Sequence, residues 1–280
     1  MKLCYVTCFL DIKRDQWSHF QRSVDTYFEE FQPLLRMFLH HPDAPSHDFV
    51  VFLDRAHVSK MPHNLPPHIH LCPIDEEYMR QHCPIWQRLD TERAIIQSKE
   101  YQDLVRHRLH HPEHNNPKYT LINHCKVDLV KNAMEIVPEA THFAWVDFGY
   151  CKHPSTIPQH FLDLCKIDAD RVNYTLINPI DPLVDRNILY TLQNAPEKVG
   201  GFFFCGSKES LLAYRELYHQ VHAFLQHQHI VDDDQHIALL CYFEKPDLFC
   251  MHHLGGFHKA LTTFQKYEIF GQCITLRVDT

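Results

Sequence analysis

Three apolar runs that each close on a carboxylate constrain this chain more than any other feature. LCYVTCFL (3–10) leads into Asp11, HDFVVFLD (47–54) ends on Asp54, and FAWV (143–146) ends on Asp147. Continuous runs rich in β-branched and aromatic residues mark strands buried on both faces. A carboxylate taken from water without a partner loses several kcal/mol. Each of these acids therefore needs a cation, a hydrogen-bonding ligand or the open end of a sheet.

Helical periodicity fills the intervals. Residues 17–39 carry Phe20, Val24, Tyr27, Phe28, Phe31, Leu34, Leu35 and Phe38 at mostly three- and four-residue spacings, which predicts a helix with a kink or join at Pro33. Residues 84–109 read as one or two helices, and 119–136, 208–228 and 232–246 as three more. Further strands are expected at 69–74, 172–180 and 200–207. Alternating strands and helices predict an α/β fold with a Rossmann-like, mostly parallel central sheet and helices on both faces. Ligands of such sheets lie beyond the carboxyl ends of the strands, where Asp11, Asp54 and Asp147 would face one crevice. For Asp54 the simpler expectation is a cap on the following turn.

With 280 residues, one domain of this type is the natural reading. Lys plus Arg total 27 against 35 Asp plus Glu, a net charge of −8, so the chain is not expected to bind nucleic acid or an anionic membrane surface. An anionic ligand would have to be held locally. No apolar run reaches membrane-spanning length. The 11 cysteines contain no CxxC pair and no leader is evident, which reads as reduced thiols and a cytoplasmic setting. Most of the 25 scattered histidines are expected on the surface or as hydrogen-bonded filler.

Three further stretches stand out. In IVDDDQHIALL, three carboxylates precede an amphipathic helix; one serves as an N-cap, and a neighbour is expected to accept a proton or a substrate hydroxyl. FCMHHLGGFHK (249–259) places His252 and His253 before Gly255-Gly256, then His258 and Lys259. A histidine beside a flexible turn can ligate a divalent ion, and a lysine nearby can pair with phosphate. GGFFFCGS spends two of the chain's seven glycines at the start of a strand, where glycine marks a bulge or close approach to the backbone.

Taken together, an N-terminal strand with Thr7 and Asp11, Lys126, WVDFGY, GGFFFCGS, the DDQ segment and a C-terminal His resemble the HtrL/YibB-type proteins. More distantly they are similar to the glycogenin-like branch of the GT-A glycosyltransferase fold. The resemblance runs from Tyr5 to about Lys259. It implies a single GT-A-type domain, with residues 1–150 as the nucleotide-sugar half and 151–280 as the acceptor half. By the same resemblance, Asp147 stands for the first acid of a D-x-D motif, and Gly149 replaces the second. His252, followed by Gly255, is similar to the metal-binding H-x-x-G segment, so Asp147 and His252 are the expected ligands of Mn²⁺ or Mg²⁺. Thr7, Phe9 and Asp11 would meet the base and ribose; Lys126, Asp147, Gly149, Gln235 and Lys259, or His258 in its place, would complete the donor site. Asp233 and Asp234 are the expected catalytic pair, one of them the base.

The implied reaction is transfer of a sugar from a UDP-sugar to a hydroxyl of a glycan acceptor, with inversion. Likeness to glycan-building enzymes of large algal viruses (chloroviruses) implies a pentose donor such as UDP-xylose, and host cytoplasm as the setting. Trp86, Tyr150, Asn178 and Phe202 are expected either on the acceptor side or in the core. Two other readings remain. A sugar nucleotidyltransferase would carry a Gly-rich basic loop after the first strand, which CFLDIKRDQW lacks, and a non-catalytic sugar- or metal-binding module would use the histidines. The sequence leaves the oligomeric state open.

Overall fold

The computed structural model of the protein describes residues 2–266. Seven strands, β1 (Leu3–Phe9), β2 (Asp48–Asp54), β3 (Ile69–Ile74), β4 (His142–Val146), β5 (Val172–Leu176), β6 (Val199–Ser207) and β7 (Phe249–His253), form one sheet. Their order is β3-β2-β1-β4-β6-β5-β7. Every neighbouring pair is parallel except those made by β6, which runs against both β4 and β5. The mostly parallel α/β sheet expected from the sequence is present.

Eleven α-helices are described: α1 (Val24–His40), α2 (Glu76–His82), α3 (Leu89–Gln97), α4 (Lys99–Leu104), α5 (Pro117–His124), α6 (Lys126–Ile136), α7 (Pro182–Asp185), α8 (Ile188–Asn194), α9 (Lys208–His227), α10 (Asp234–Glu244) and α11 (Ala260–Thr263). No described helix is long and apolar enough to cross a membrane.

Because strand side chains alternate, each central strand feeds two cores. Cys4, Val6, Val50, Phe52, Phe143, Trp145 and Phe204 meet Leu129, Ala133, Tyr214, Leu217 and Ile237 from α6, α9 and α10. Leu3, Tyr5, Phe49, Val51, Ala144, Val146 and Phe203 meet Phe31, Leu34, Leu35 and Phe38 of α1 on the other face. Two contacts on this second face fix the chain just after β4. Phe148 stacks on Phe31 at 4.0 Å, and the Tyr5 hydroxyl accepts the Leu162 N–H at 2.8 Å. Asp147, immediately before Phe148, donates its backbone N–H to the Phe202 carbonyl of β6 at 3.0 Å.

The sequence and structure part company at two helices. The expected helix from residue 17 begins only at Val24, because Ser23 caps it by accepting the Thr26 N–H. The earlier aromatics turn elsewhere: Trp17 packs edge-on against Tyr119 at 5.8 Å. The expected helix over 119–136 is broken at Cys125 into α5 and α6. Pro33 leaves α1 continuous.

After β1 the chain moves outward to β2 and β3, then returns to lay β4 on the other side of β1. That reversal places a switch point between β1 and β4, with a crevice beyond their carboxyl ends.

Candidate functional site

The loops leaving β1 and β4 enclose a cleft of about 200 Å³, lined among others by Phe9, Asp11, Lys126, Asp147 and Gly149. At its floor lies a charge triad from three distant parts of the chain. The Lys126 ammonium sits 3.0 Å from Asp147 Oδ1 and 2.7 Å from Asp234 Oδ2, and donates to the Gly201 carbonyl at 2.8 Å. Cys125 ends one helical run and Lys126 opens the next, so the side chain that reaches both acids starts from the first residue of α6. Burial works against the Lys126 charge, but Asp147 and Asp234 outweigh it and raise the pKa. Asp234 is also raised, by burial first, with Lys126 opposing and Asp147 adding. The cation that answers the strand-end charge of Asp147 is Lys126.

Asp147 is the exposed member, its side chain 26% accessible. The Trp145 indole N–H donates to the same Oδ1 at 2.7 Å, so both contacts leave Oδ2 unused. The glycine pair expected to allow close approach does so at Gly201. A Cβ there would come within 2.9 Å of Asp234 Cγ, whereas one at Gly200 would meet nothing nearer than 3.6 Å. The β5–β6 register shifts at the same level, between Tyr174 and Thr175.

Asp11 stands at the mouth. Its carboxylate accepts from the Lys13 N–H at 2.9 Å, from Lys13 Nζ at 2.6 Å, and lies 3.3 Å from His57 Nε2. Burial pushes its pKa up, and these hydrogen bonds overcome that and lower it. Asp54 caps the next turn, accepting from the Ala56 and Asp11 N–H groups.

Asp233 and Gln235 line a second cavity, of about 290 Å³, which shares Arg14 and Tyr119 with the first. Asp233 caps α10 by accepting the His236 N–H at 3.0 Å. Burial, with Asp232, Asp234 and Glu113 around it, pushes its pKa well above the usual carboxylate range.

Three expected residues are not brought to the cleft. Thr7 lies inside β1 opposite Val51 and is wholly buried. Lys259 is exposed and runs along Gly256. His252 lies on β7, three strand spacings from β4, roughly 14 Å at about 4.8 Å per strand. Its Nε2 is 2.8 Å from Asn173 Oδ1, and its ring meets Phe264 edge-on at 4.8 Å. Asp147 and His252 therefore do not form a ligand pair. The histidine that does reach the cleft wall is His258, stacked at 4.3 Å on Phe202, a lining residue. Burial and neighbouring Lys152 lower its pKa to about 4. Trp86 and Tyr150 are core residues, and Asn178 ties a loop by donating to the Glu197 carbonyl at 2.7 Å.

The site also holds three cations that the motifs did not point to: Arg14, Arg22 and Lys152. Arg14 follows β1 and Lys152 follows β4, so the rule that ligands sit beyond parallel strands was the available signal.

Comparison with known proteins bears on the same residues. A family model described as "Bacterial protein of unknown function (HtrL_YibB)" matches residues 2–266. The chain belongs to the HtrL/YibB family. Within that family, it is similar to Protein HtrL of Escherichia coli (strain K12), 23% identical over 263 residues that span 89% of this chain and 87% of the relative. The match takes in both cavities and all members of the charge triad.

Proposed function

We propose that this HtrL/YibB protein is a GT-A glycosyltransferase that moves a sugar from a UDP-sugar to a hydroxyl of a glycan acceptor, inverting the anomeric centre. The convergence of Lys126, Asp147 and Asp234 beneath a cleft at the β1/β4 switch point carries this reading. A preorganised ammonium between two carboxylates suits a donor that is both anionic and rich in hydroxyls. In this assignment Phe9 and Asp11 face the nucleoside, and Asp147 and Asp234 receive hydroxyls of the transferred sugar. Lys126 holds both acids in place, and Gln235 contacts the sugar from the second cavity.

In the reaction, the acceptor oxygen forms a bond to C1 as the bond from C1 to the diphosphate oxygen breaks. Asp233 takes the acceptor proton and UDP departs with the electron pair. Asp233 suits that role by position, fixed at the N-terminus of α10 and lining the second cavity. The adjoining second cavity is the natural place for the acceptor. Mn²⁺ or Mg²⁺, expected from the resemblance, would find Asp147 but not His252 at the cleft, so the residues do not fit that ion as paired. Xylose is the first sugar to test.

The test is a chromatographic screen of UDP-sugars, UDP-xylose included, for hydrolysis and transfer, with Asp233→Asn as control. Removing a general base lowers turnover by about 10²- to 10⁴-fold, with UDP affinity kept within about twofold on that account. A protein that binds no UDP-sugar, or an Asp233→Asn variant of full activity, overturns the assignment.

One observation favours the non-catalytic alternative of a metal-binding module. Glu92, His124 and His222 are buried together, with potential ligand atoms within 4.8 Å of one another. Metal analysis of the purified protein separates the two: stoichiometric zinc without UDP affinity would favour the module.

A further inference from the structure

We propose that the cleft grips the donor diphosphate with Arg14, Arg22 and Lys152 in place of a divalent cation. The inference rests on the nucleotide-sugar reading of the same cleft and names how its anion is held.

The first argument is that the cleft does not assemble a metal's ligand set. Asp147 offers one free oxygen, Oδ2, because Oδ1 already carries Lys126 and the Trp145 N–H. The position of a second acid is Gly149, and a Cβ there would lie 3.1 Å from Arg22 Cζ and collide with the Arg22–Glu30 ion pair. A guanidinium thus occupies the space into which a carboxylate side chain would grow. The histidine expected as third ligand is bonded to Asn173 on the far side of the sheet.

The second argument is an unmatched positive charge. Arg14 donates to the Phe20 carbonyl and to the Tyr27 hydroxyl, both at 2.8 Å, and neither partner is charged. The Lys152 ammonium lies 5.9 Å from the Phe202 ring centre. Among the described residues, neither Arg14 nor Lys152 has a carboxylate within ion-pair distance. Burial, then repulsion from Arg22 and Arg14, lower the Lys152 pKa, with Asp147 opposing. Cations crowded in this way gain when an anion enters. Arg14 is also braced between Trp17 and Tyr119, 5.4 and 5.5 Å from their ring centres, so its guanidinium is already ordered. A diphosphate bearing two to three negative charges would complement two free cations and a third partly neutralised by Glu30.

Titration calorimetry tests this with two probes, inorganic pyrophosphate and UDP, each in EDTA and each with Mn²⁺. Both should bind in EDTA with Kd within about threefold of the value in Mn²⁺. Arg14→Ala and Lys152→Ala should each weaken pyrophosphate about tenfold or more, the loss of one charge-assisted contact. Lys152 lies in the loop after β4 and makes no ion pair among the described residues, so its variant should fold normally, which circular dichroism checks. Binding that vanishes in EDTA and returns with Mn²⁺, or variants with unchanged affinity, would overturn the inference. Pyrophosphate binding that survives EDTA without any UDP binding keeps the anion cluster and removes the nucleotide-sugar reading.

Discussion

Lys126→Met is the substitution whose consequences follow most directly from the geometry. Methionine keeps most of the length and removes the charge. It would leave Asp234, only 7% exposed, facing Asp147 with no cation between them, and would strip the Gly201 carbonyl of its donor. Breaking a buried ion pair by deleting one partner costs about 3–5 kcal/mol, against a total stability of about 5–15 kcal/mol for a folded domain. The loss should depend on pH. Without Lys126 the Asp234 pKa rises further above its unfolded value, so the folded state binds the extra proton. Between those two pKa values the variant loses stability as pH rises, by about 1.4 kcal/mol for each unit of separation. Urea unfolding followed by tryptophan fluorescence should show a penalty near the full range at pH 8 and a smaller one at pH 5. Adding Asp234→Asn should return at least half of it at pH 8. A penalty below about 1 kcal/mol at pH 8, or one that neither pH nor the second substitution changes, would refute the idea that Lys126 is the counter-ion of both acids.

Gly201→Ala should cost about 1–3 kcal/mol by overpacking and should weaken UDP, because the atoms in the way belong to Asp234; Gly200→Ala should be tolerated, and equal effects at the two sites would contradict the close approach. Burial lowers the pKa of both His47 and His114 to about 4. The unfolded state then binds protons that the folded state refuses between about pH 6.5 and 4, so the urea midpoint should fall steadily as pH drops through that window and level off below it. A flat profile from pH 6.5 to 4 would show that these rings are not held neutral. His252→Ala should leave UDP affinity within about twofold, since the ring is bonded to Asn173; a loss of tenfold or more in the presence of Mn²⁺ would return His252 to the site.

The parts of the site carried by backbone periodicity were legible in advance. Asp11 and Asp147 interrupt apolar runs, and a strand end is the only place in such a sheet where a charge can be accommodated. Gly201 was conspicuous for the same reason, as a residue without a side chain in a strand that needs them. His252 misled because the H-x-x-G spacing says nothing of which strand spacing the residue will occupy; the order β4-β6-β5-β7 separates it from Asp147. Lys259 failed on facing, being exposed one residue beyond His258, which does reach the cleft wall. Arg14, Arg22 and Lys152 carry no pattern because they come from loops and a helix approach, and only the closing of β1 beside β4 gathers them. The apolar rhythm of Trp17 and Phe20 extends the expected helix too far back, whereas Trp17 packs outside it against Arg14 and Tyr119, two residues that line the cleft.

A crystal structure of the protein with UDP should show the diphosphate in the β1/β4 cleft, within hydrogen-bonding reach of Arg14 and Lys152, with its sugar-bearing end toward Asp147. Density for UDP in any other cavity, or a diphosphate in this cleft held away from those two cations, would contradict this placement.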